Sequence, residues 1–183
     1  MDPEIRTERL QLRPLRAEDA EPLFLLFNDW EVVRWLSNPP WPYTLQDAFD
    51  FILPRREHDS AEPNFAITLG GKLIGGIGLR LKPAGHLQAK DGPSIGYWLG
   101  RPYWGRGFMT EAARGLIGRA WISGPLDTIY SGAMADNAAS LRVQAKLGFK
   151  VAGETVLFFR PHGAHLPHVN TVLTRAAFEA VAR

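Results

Sequence analysis

The stretch GYWLGRPYWGRGFMTEAA, residues 96–113, places a strand pattern, two glycines and a helix pattern in direct succession. Apolar side chains alternate from 95 to 99, and this period of two predicts a strand. From 109 to 120 they recur at helical spacing. Between the patterns, Gly105 and Gly107 allow a sharp turn and a close approach to a ligand. The N–H groups of the helix start favour an anion. The stretch therefore predicts a backbone-built site for a phosphate-bearing ligand.

The totals set the broad class. A length of 183 residues favours one domain, 1–183, with a sizeable core. The formal charge is +2 and no run of Lys or Arg is dense, so a nucleic-acid partner is not expected. The absence of cysteine excludes a disulfide scaffold and a Cys nucleophile. The charged segment 1–16 does not resemble a signal peptide, and no apolar run has membrane-spanning length. We therefore expect a cytoplasmic protein without a membrane partner; a homodimer stays open.

The element order predicts a mixed α/β sheet. Three consecutive strands indicate an antiparallel part, and the strand–helix–strand unit around Gly105 indicates a parallel pair with a right-handed crossover. Thr44 and Asp47 form a capping-box pattern at the start of the second helix, and the segment 29–43 reads as a loop rich in Trp and Pro. The predicted strands are 9–15, 65–69, 72–81, 95–99, 127–133, 151–160 and 166–174; the predicted helices are 17–28, 44 to about 54–57, 109–123, 138–146 and 176–182, with a polar connection at 83–93.

The glycine loop fits neither common nucleotide motif. No Gly-Lys-Ser/Thr follows it, so it is not a Walker A loop. Thr110 stands where a dinucleotide fingerprint has its third glycine. Gly-x-Gly alone is a weak signal, and a nucleotide-binding protein remains a third, weaker interpretation.

A longer set of motifs resembles one family. The run YWLGRPYWGRGFMTEA, the spacing Asn137-x-x-Ser140 and the segment 146–149 (KLGF) are together similar to the GCN5-related N-acetyltransferase (GNAT) superfamily. Thr7-Glu8-Arg9-Leu10 and Pro42-Tyr43-Thr44 resemble its RimJ/RimL-like branch, the ribosomal-protein N-terminal-alanine acetyltransferase type. The resemblance implies a mostly antiparallel sheet, flanked by helices, whose central strand pair is splayed around acetyl-CoA.

The resemblance also implies a reaction and a cofactor site. The acetyl group would pass directly, in a ternary complex, to a primary amine on a protein N-terminus or a small molecule, without a metal. Backbone N–H groups of the loop would hold the pyrophosphate, the main chain of 97–99 would pair with the pantetheine arm, and a side-chain amide would bind that arm from the other side. Pro102 stands where the family often has Gln or Arg. The implied cofactor residues are Trp98, Leu99, Trp104, Gly105, Arg106, Gly107, Phe108, Met109, Thr110 and Asn137.

The catalytic residues are less directly indicated. Many members protonate the coenzyme A thiolate with a Tyr at the position of Gln144, and an amide cannot act as that acid. Ser140 lies one turn earlier on the same helix face, so we hypothesise that it takes this role; a packing or coenzyme-contacting hydroxyl is the alternative. For the base, Tyr97 and Glu154 are candidates, while Asp136 reads better as a helix cap.

The acceptor side is predicted from aromatic and histidine residues. Trp41, flanked by prolines, is expected to line the amine pocket together with Glu154 and His168, whereas Trp30 and Trp35 are expected to cap the core. The histidines at 162, 165 and 168 lack a carboxylate at ligand spacing, so no metal is expected. The alternative function is a catalytically inactive acyl-CoA-binding sensor, for which Gln144 is the support.

Overall fold

The computed structural model describes residues 4–53, 64–81, 92–124 and 126–181. Its strands are β1 (Ile5–Arg6), β2 (Gln11–Pro14), β3 (Asn64–Leu69), β4 (Lys72–Arg80), β5 (Ser94–Leu99), β6 (Thr128–Met134), β7 (Lys150–Phe159) and β8 (Ala164–Thr174). Its helices are α1 (Ala20–Phe27), α2 (Trp30–Val33), α3 (Leu45–Ile52), α4 (Phe108–Ser123), α5 (Ala138–Leu147) and α6 (Arg175–Val181).

The strands form one eight-stranded sheet in the order β1-β2-β3-β4-β5-β6-β8-β7. The pair β5–β6 is parallel, and the other neighbouring described strands are antiparallel. The crossover between β5 and β6 runs through α4, as the strand–helix–strand pattern predicts. The predicted mixed α/β, mostly antiparallel architecture is confirmed.

The central pair separates soon after it forms. β5 and β6 are in register at Ser94 and Tyr130, and the strands diverge beyond that point. There the buried Ser131 hydroxyl donates to the Ile95 carbonyl at 3.0 Å. A side chain thus satisfies a carbonyl that a regular parallel ladder would pair with backbone. The predicted splay is present, and it opens a gap through the middle of the sheet.

Helices cover both faces. Along β3, Ala66 packs with α1 and α3 on one face, and Ile67 packs with α4 on the other. Leu73 and Ile74 of β4 alternate in the same way. These strands are buried on both sides and therefore read as apolar runs rather than as alternating patterns.

Local capping follows the sequence closely. Thr44 and Asp47 form the predicted capping box of α3. Asn137, rather than Asp136, caps α5 by accepting the Ser140 N–H at 3.0 Å, and Gly148 ends that helix.

Three expectations need correction or lie outside the described chain. The segment predicted as loop 29–43 contains the short helix α2, because Asp29 accepts the Glu31 N–H and caps it. Strand β1 was not predicted, since two residues carry no readable alternation. Helix α3 ends at Ile52, before the predicted end at 54–57, because Leu53 precedes Pro54 and leaves helical geometry. Most of the 83–93 connection lies outside the described residues.

Candidate active site

A cleft of about 610 Å³ occupies the gap between β5 and β6. At one end it is lined by the loop 104–110 and the start of α5. At the other end it reaches α2 and the residues that follow it, together with β7 and β8. The cleft is therefore a passage through the sheet, with chemically different walls at its two ends.

The glycine loop forms the first end. Gly105 and Gly107 have φ angles of 72° and 79°, in the left-handed region that favours glycine. Gly107 is the N-cap of α4, and no described side chain caps that helix. The N–H groups of the first helical turn, from Phe108 to Thr110, have no partner within the helix. They face a cleft that the same residues line, which suits an anion.

The predicted cofactor residues converge here with one exception. Trp98, Leu99, Trp104, Gly105, Gly107, Phe108, Met109, Thr110 and Asn137 all line the cleft. Arg106 does not line it, because its exposed guanidinium lies 4.9 Å from the centroid of the Phe108 ring. The Trp104 indole donates to the Leu99 carbonyl at 2.8 Å, so this carbonyl already has a partner.

A network behind the loop fixes its position. Glu111 of α4 accepts the Thr7 hydroxyl at 2.6 Å, the Arg9 N–H at 2.8 Å and the Arg9 Nε at 2.7 Å. Arg9 also donates to the Arg106 carbonyl at 3.1 Å and covers the Phe108 ring. Burial would raise the pKa of Glu111, but the hydrogen bonds from Thr7 and Arg9 outweigh it and the pKa is lowered. The segment Thr7–Leu10, which resembles the family sequence, thus anchors the glycine loop from the side away from the cleft.

Hydroxyl groups line the middle of the cleft. The Tyr97 and Ser140 hydroxyl oxygens lie 3.0 Å apart, across the gap between β5 and α5. Burial raises the pKa of Tyr97, against the hydrogen bonds of Ser140 and Gln144. Tyr97 therefore remains a neutral phenol, able to donate a hydrogen bond but poorly suited to act as a base. Both predicted catalytic hydroxyls belong to residues that line the cleft.

Gln144 has a structural explanation. It is almost fully buried. Its amide nitrogen donates to the Gly132 carbonyl at 3.2 Å, and its amide oxygen accepts the Thr171 hydroxyl at 2.8 Å. Gln144, which occupies the position of the family's tyrosine, thus joins α5 to β6 and β8 by hydrogen bonds. The Ser140 hydroxyl, 3.4 Å from the same amide, remains at the cleft.

Of the three residues predicted for the acceptor side, one lines the cleft and two lie outside it. His168 is buried and lines the cleft. Trp41 was predicted as a pocket residue, but it packs on Trp30 and is not among the cleft-lining residues. Trp35, expected to cap the core, lines the cleft instead. Glu154 does not line it either, because the parity of β7 turns Leu157 and Phe159 inward and leaves Glu154 exposed.

Sequence reasoning missed the apolar wall of this end. Met134, Leu157 and Phe159 form a small cluster against which Trp35 packs. They come from β6 and β7, and α2 sets the position of Trp35. No alternation marked them in the sequence, since residues 156–159 are apolar at every position.

Among the described residues, no cluster of three His, Cys, Asp or Glu side chains could hold a metal ion. Within the same ranges, no helix is both long and apolar enough to cross a membrane.

Known proteins agree with this architecture. The model of the Acetyltransferase (GNAT) domain matches residues 9–150. An uncharacterized N-acetyltransferase, p20 of Bacillus licheniformis, is 30% identical over 151 residues, which cover 80% of this chain and 82% of that protein. The chain belongs to the GNAT acetyltransferase family, and it is an N-acetyltransferase.

Two further similarities are more distant. Spermidine N(1)-acetyltransferase of Escherichia coli K12 is 27% identical over 158 residues, which cover 85% of this chain and 81% of that enzyme. The structure of Mycobacterium smegmatis RimJ in complex with CoA-disulfide superposes with a TM-score of 0.76 at 21% identity, covering 98% of this chain and 92% of that one. The latter likeness shows the fold alone.

Proposed function

We propose that this chain transfers the acetyl group of acetyl-CoA directly to a primary amine in a ternary complex. The observation that carries the proposal is the passage through the sheet, with unpaired backbone N–H groups at one end and an apolar, histidine-containing pocket at the other. The two substrates would enter from opposite faces and meet at the splay, which holds the reacting atoms close together.

The cofactor would lie along the sequence-predicted residues. Its pyrophosphate would accept hydrogen bonds from the N–H groups of 104–110 at the start of α4. The pantetheine arm would pair with the main-chain groups of Tyr97. Trp104 occupies the Leu99 carbonyl, and Trp98 pairs with Gly76 of β4. The Asn137 side-chain oxygen is used by the α5 cap, so its amide N–H would serve the arm.

The reacting carbonyl would lie at the divergence of β5 and β6. The backbone N–H of Leu99 would stabilise the oxyanion, since Trp98 is paired with Gly76 of β4. Ser140, hydrogen-bonded to Tyr97, would supply the proton for the departing thiolate. No residue of this chain would carry the acetyl group, since the sequence has no cysteine.

The acceptor is a primary amine on a small molecule or a protein N-terminus, and we propose that an apolar group adjoins the amine. Trp35, Leu157 and Phe159 support this, because they offer rings and aliphatic surface rather than carboxylates. Both kinds of acceptor have a counterpart among the similar proteins. One enzyme is named for the small molecule spermidine, and one structure is that of RimJ. The RimJ/RimL-like branch, a cytoplasmic location, a single domain and a homodimer remain predictions from the sequence.

A binding and turnover assay tests the function. Calorimetry should show binding of acetyl-CoA but not of ATP. Thiol release should then be measured with phenethylamine, spermidine and a peptide bearing an N-terminal alanine. We expect turnover with phenethylamine or the peptide and an intersecting, ternary-complex kinetic pattern. Tight acetyl-CoA binding without turnover on any amine would instead favour the sensor.

A further inference from the structure

His168 lies on β8, in register with Met134 of β6 and Thr155 of β7. Thr171 of β8 donates to Gln144 of α5, so the alternation of side chains along β8 places the His168 ring on the opposite face of the sheet. The His168 side chain lines the acceptor end of the cleft. It is 5% exposed. A titratable group buried at the wall of a reaction cleft is a candidate for a functional role.

Asn170 selects the tautomer of this ring. The Nδ1 atom of His168 lies 3.1 Å from the Asn170 Oδ1. An amide oxygen only accepts hydrogen bonds, so Nδ1 carries the proton. In the neutral ring, Nε2 is then left with a free lone pair.

Because Gly132 has no side chain, the His168 ring can lie next to the β6 backbone at the splay. A Cβ atom added to Gly132 would come within 2.8 Å of the His168 Nε2 and closer still to its Cε1. The imidazole therefore lies directly over the backbone of β6, where any side chain at 132 would displace it. Gly132 itself lines the cleft, so Nε2 is held at the point where β6 has parted from β5.

The groups around the ring leave it neutral. Burial lowers the pKa of His168, and the hydrogen bond with Asn170 opposes this effect. On β7 the neighbouring inward side chains are Leu157 and Phe159, which carry no charge. Beyond them, the His162 Nε2 lies 2.9 Å from the Arg34 carbonyl. The charged side chains that line the cleft are Glu31, which is paired with Arg34, and Asp136, Arg142 and Lys146.

We propose that Nε2 of His168 is the general base that deprotonates the acceptor's ammonium group. The proposal rests on the proposed function. The ammonium would give one proton to Nε2, and the freed nitrogen lone pair would attack the thioester carbon. The C–N bond forms and the C–S bond breaks, and coenzyme A leaves as the thiolate. Ser140 gives its proton to that thiolate and takes up the second amine proton, which is released as the nitrogen becomes an amide. The imidazolium returns its proton to solvent.

The other candidate bases fit less well. Tyr97 remains a neutral phenol, and Glu154 is outside the cleft. Asp136 lines the cleft but is exposed to solvent, and a solvated carboxylate is a weaker base than an imidazole.

The test is the pH dependence of kcat/KM with acetyl-CoA and phenethylamine. We expect wild type to lose activity on the acid side as His168 becomes protonated. His168→Gln should lower kcat/KM at pH 7 by about a hundredfold, within the range of general-base effects. Its rate should recover as the pH rises toward the pKa of the amine itself, about 10. Acetyl-CoA affinity should stay within about twofold, because His168 lies on the acceptor side of the splay and not at the glycine loop that would bind the phosphates.

Two matched variants separate a base from a packing residue. His165→Gln changes an exposed histidine that stacks on Phe158 outside the cleft, and it should keep the wild-type profile. Asn170→Asp places a carboxylate against Nδ1, which should raise the pKa of His168 and move the acid limb to higher pH. A purely structural role for His168 would not move that limb.

The failures are distinguishable. His168→Gln with wild-type kcat/KM and an unchanged acid limb overturns the base alone. If His168→Gln does not fold, the base is equally overturned when the wild-type kcat/KM shows no loss of activity at low pH. Wild type that binds acetyl-CoA but acetylates none of the amines overturns the proposed function, and the base with it.

Discussion

The two ends of the cleft are built from different parts of the chain. The cofactor end takes its walls from residues between 95 and 110, which are close together in sequence, and from residues between 136 and 146 at the start of α5. The acceptor end combines residues 31–37, Met134, Leu157, Phe159 and His168. The first end offers mainly backbone N–H groups, and the second offers side chains.

This difference decides what each end tolerates. A backbone site depends on φ angles and a helix start, so it requires glycine at fixed positions but permits varied side chains between them. The acceptor site depends on which side chains of α2 and its following segment, β6, β7 and β8 face the cleft. The cofactor end should therefore fail through backbone changes, and the acceptor end through side-chain changes.

The largest expected effect is at Gly107. Gly107→Val forces a β-branched residue into φ 79°, and the left-handed conformation costs an L-residue about 1–2 kcal/mol or more. Relief of that strain would turn the N–H groups of 107–110 away from the phosphate. We expect acetyl-CoA to bind about a hundredfold more weakly, a change of about 2.7 kcal/mol, as measured by calorimetry.

Gly71→Val is the matched control. Gly71 has φ 81° in the β3–β4 hairpin, and a Cβ there would meet nothing within 4 Å. It carries the same backbone strain far from the cleft, so it should lower stability and leave acetyl-CoA affinity unchanged. Equal losses of affinity in both variants would show that the glycine loop is not the phosphate site.

The second effect is at the junction of the two ends. Ser140→Ala removes the hydroxyl next to Tyr97. We expect kcat to fall by about tenfold, less than the roughly hundredfold of a full general acid, because a thiolate whose thiol has a pKa of about 8.5 leaves readily. Acetyl-CoA affinity should be nearly unchanged. Tyr97→Phe should give a smaller loss, since Ser140 keeps its own hydroxyl. The measurement is the steady-state rate at saturating acetyl-CoA and phenethylamine. An unchanged kcat for Ser140→Ala would contradict its catalytic role.

The third effect is confined to the acceptor end. Trp35→Ala removes a ring that packs on Met134, Leu157 and Phe159, so the KM for phenethylamine should rise by about tenfold, in line with the loss of one buried aromatic contact. The KM for acetyl-CoA should not change. Trp41→Ala is the control, since Trp41 is 38% exposed and packs on Trp30. Similar KM values in the two variants would contradict this assignment.

The same contrast explains which parts of the site could be predicted. Gly107, the α4 start and the Asn137 cap are local features, because the turn and helix chemistry that makes them functional is contained within a few residues. The glycine motif and the element order were therefore sufficient to locate the cofactor end. The family resemblance implied the splay. The structure shows it, because β5 and β6 pair at the single position of Ser94 and Tyr130.

The acceptor end could not be predicted at the same level. The run Val156-Leu157-Phe158-Phe159 is apolar at every position, so its inward parity cannot be read from hydrophobicity. The exposure of Glu154 follows from that parity. Trp35 lines the cleft in place of the predicted Trp41 for a similar reason. Helix α2 turns Trp35 toward β7, and this four-residue helix is too short to leave a helical period in the sequence. The Asn170 contact that orients His168 depends on side chains two positions apart on a strand whose register was unknown.

The smallest expected effect tests how the cofactor loop is held in place. Glu111→Gln keeps the shape of the side chain and one acceptor, but removes the charge that binds Thr7 and Arg9. It should cost about 1 kcal/mol of unfolding free energy at pH 7. The folded-state pKa of Glu111 is below its ordinary value of 4.5, so this stabilisation is complete above that value and is lost as the pH falls through the folded pKa. Denaturant unfolding of both proteins should therefore show a gap at pH 7 that closes at lower pH. A gap that is independent of pH would mean that the carboxylate charge does not anchor the loop.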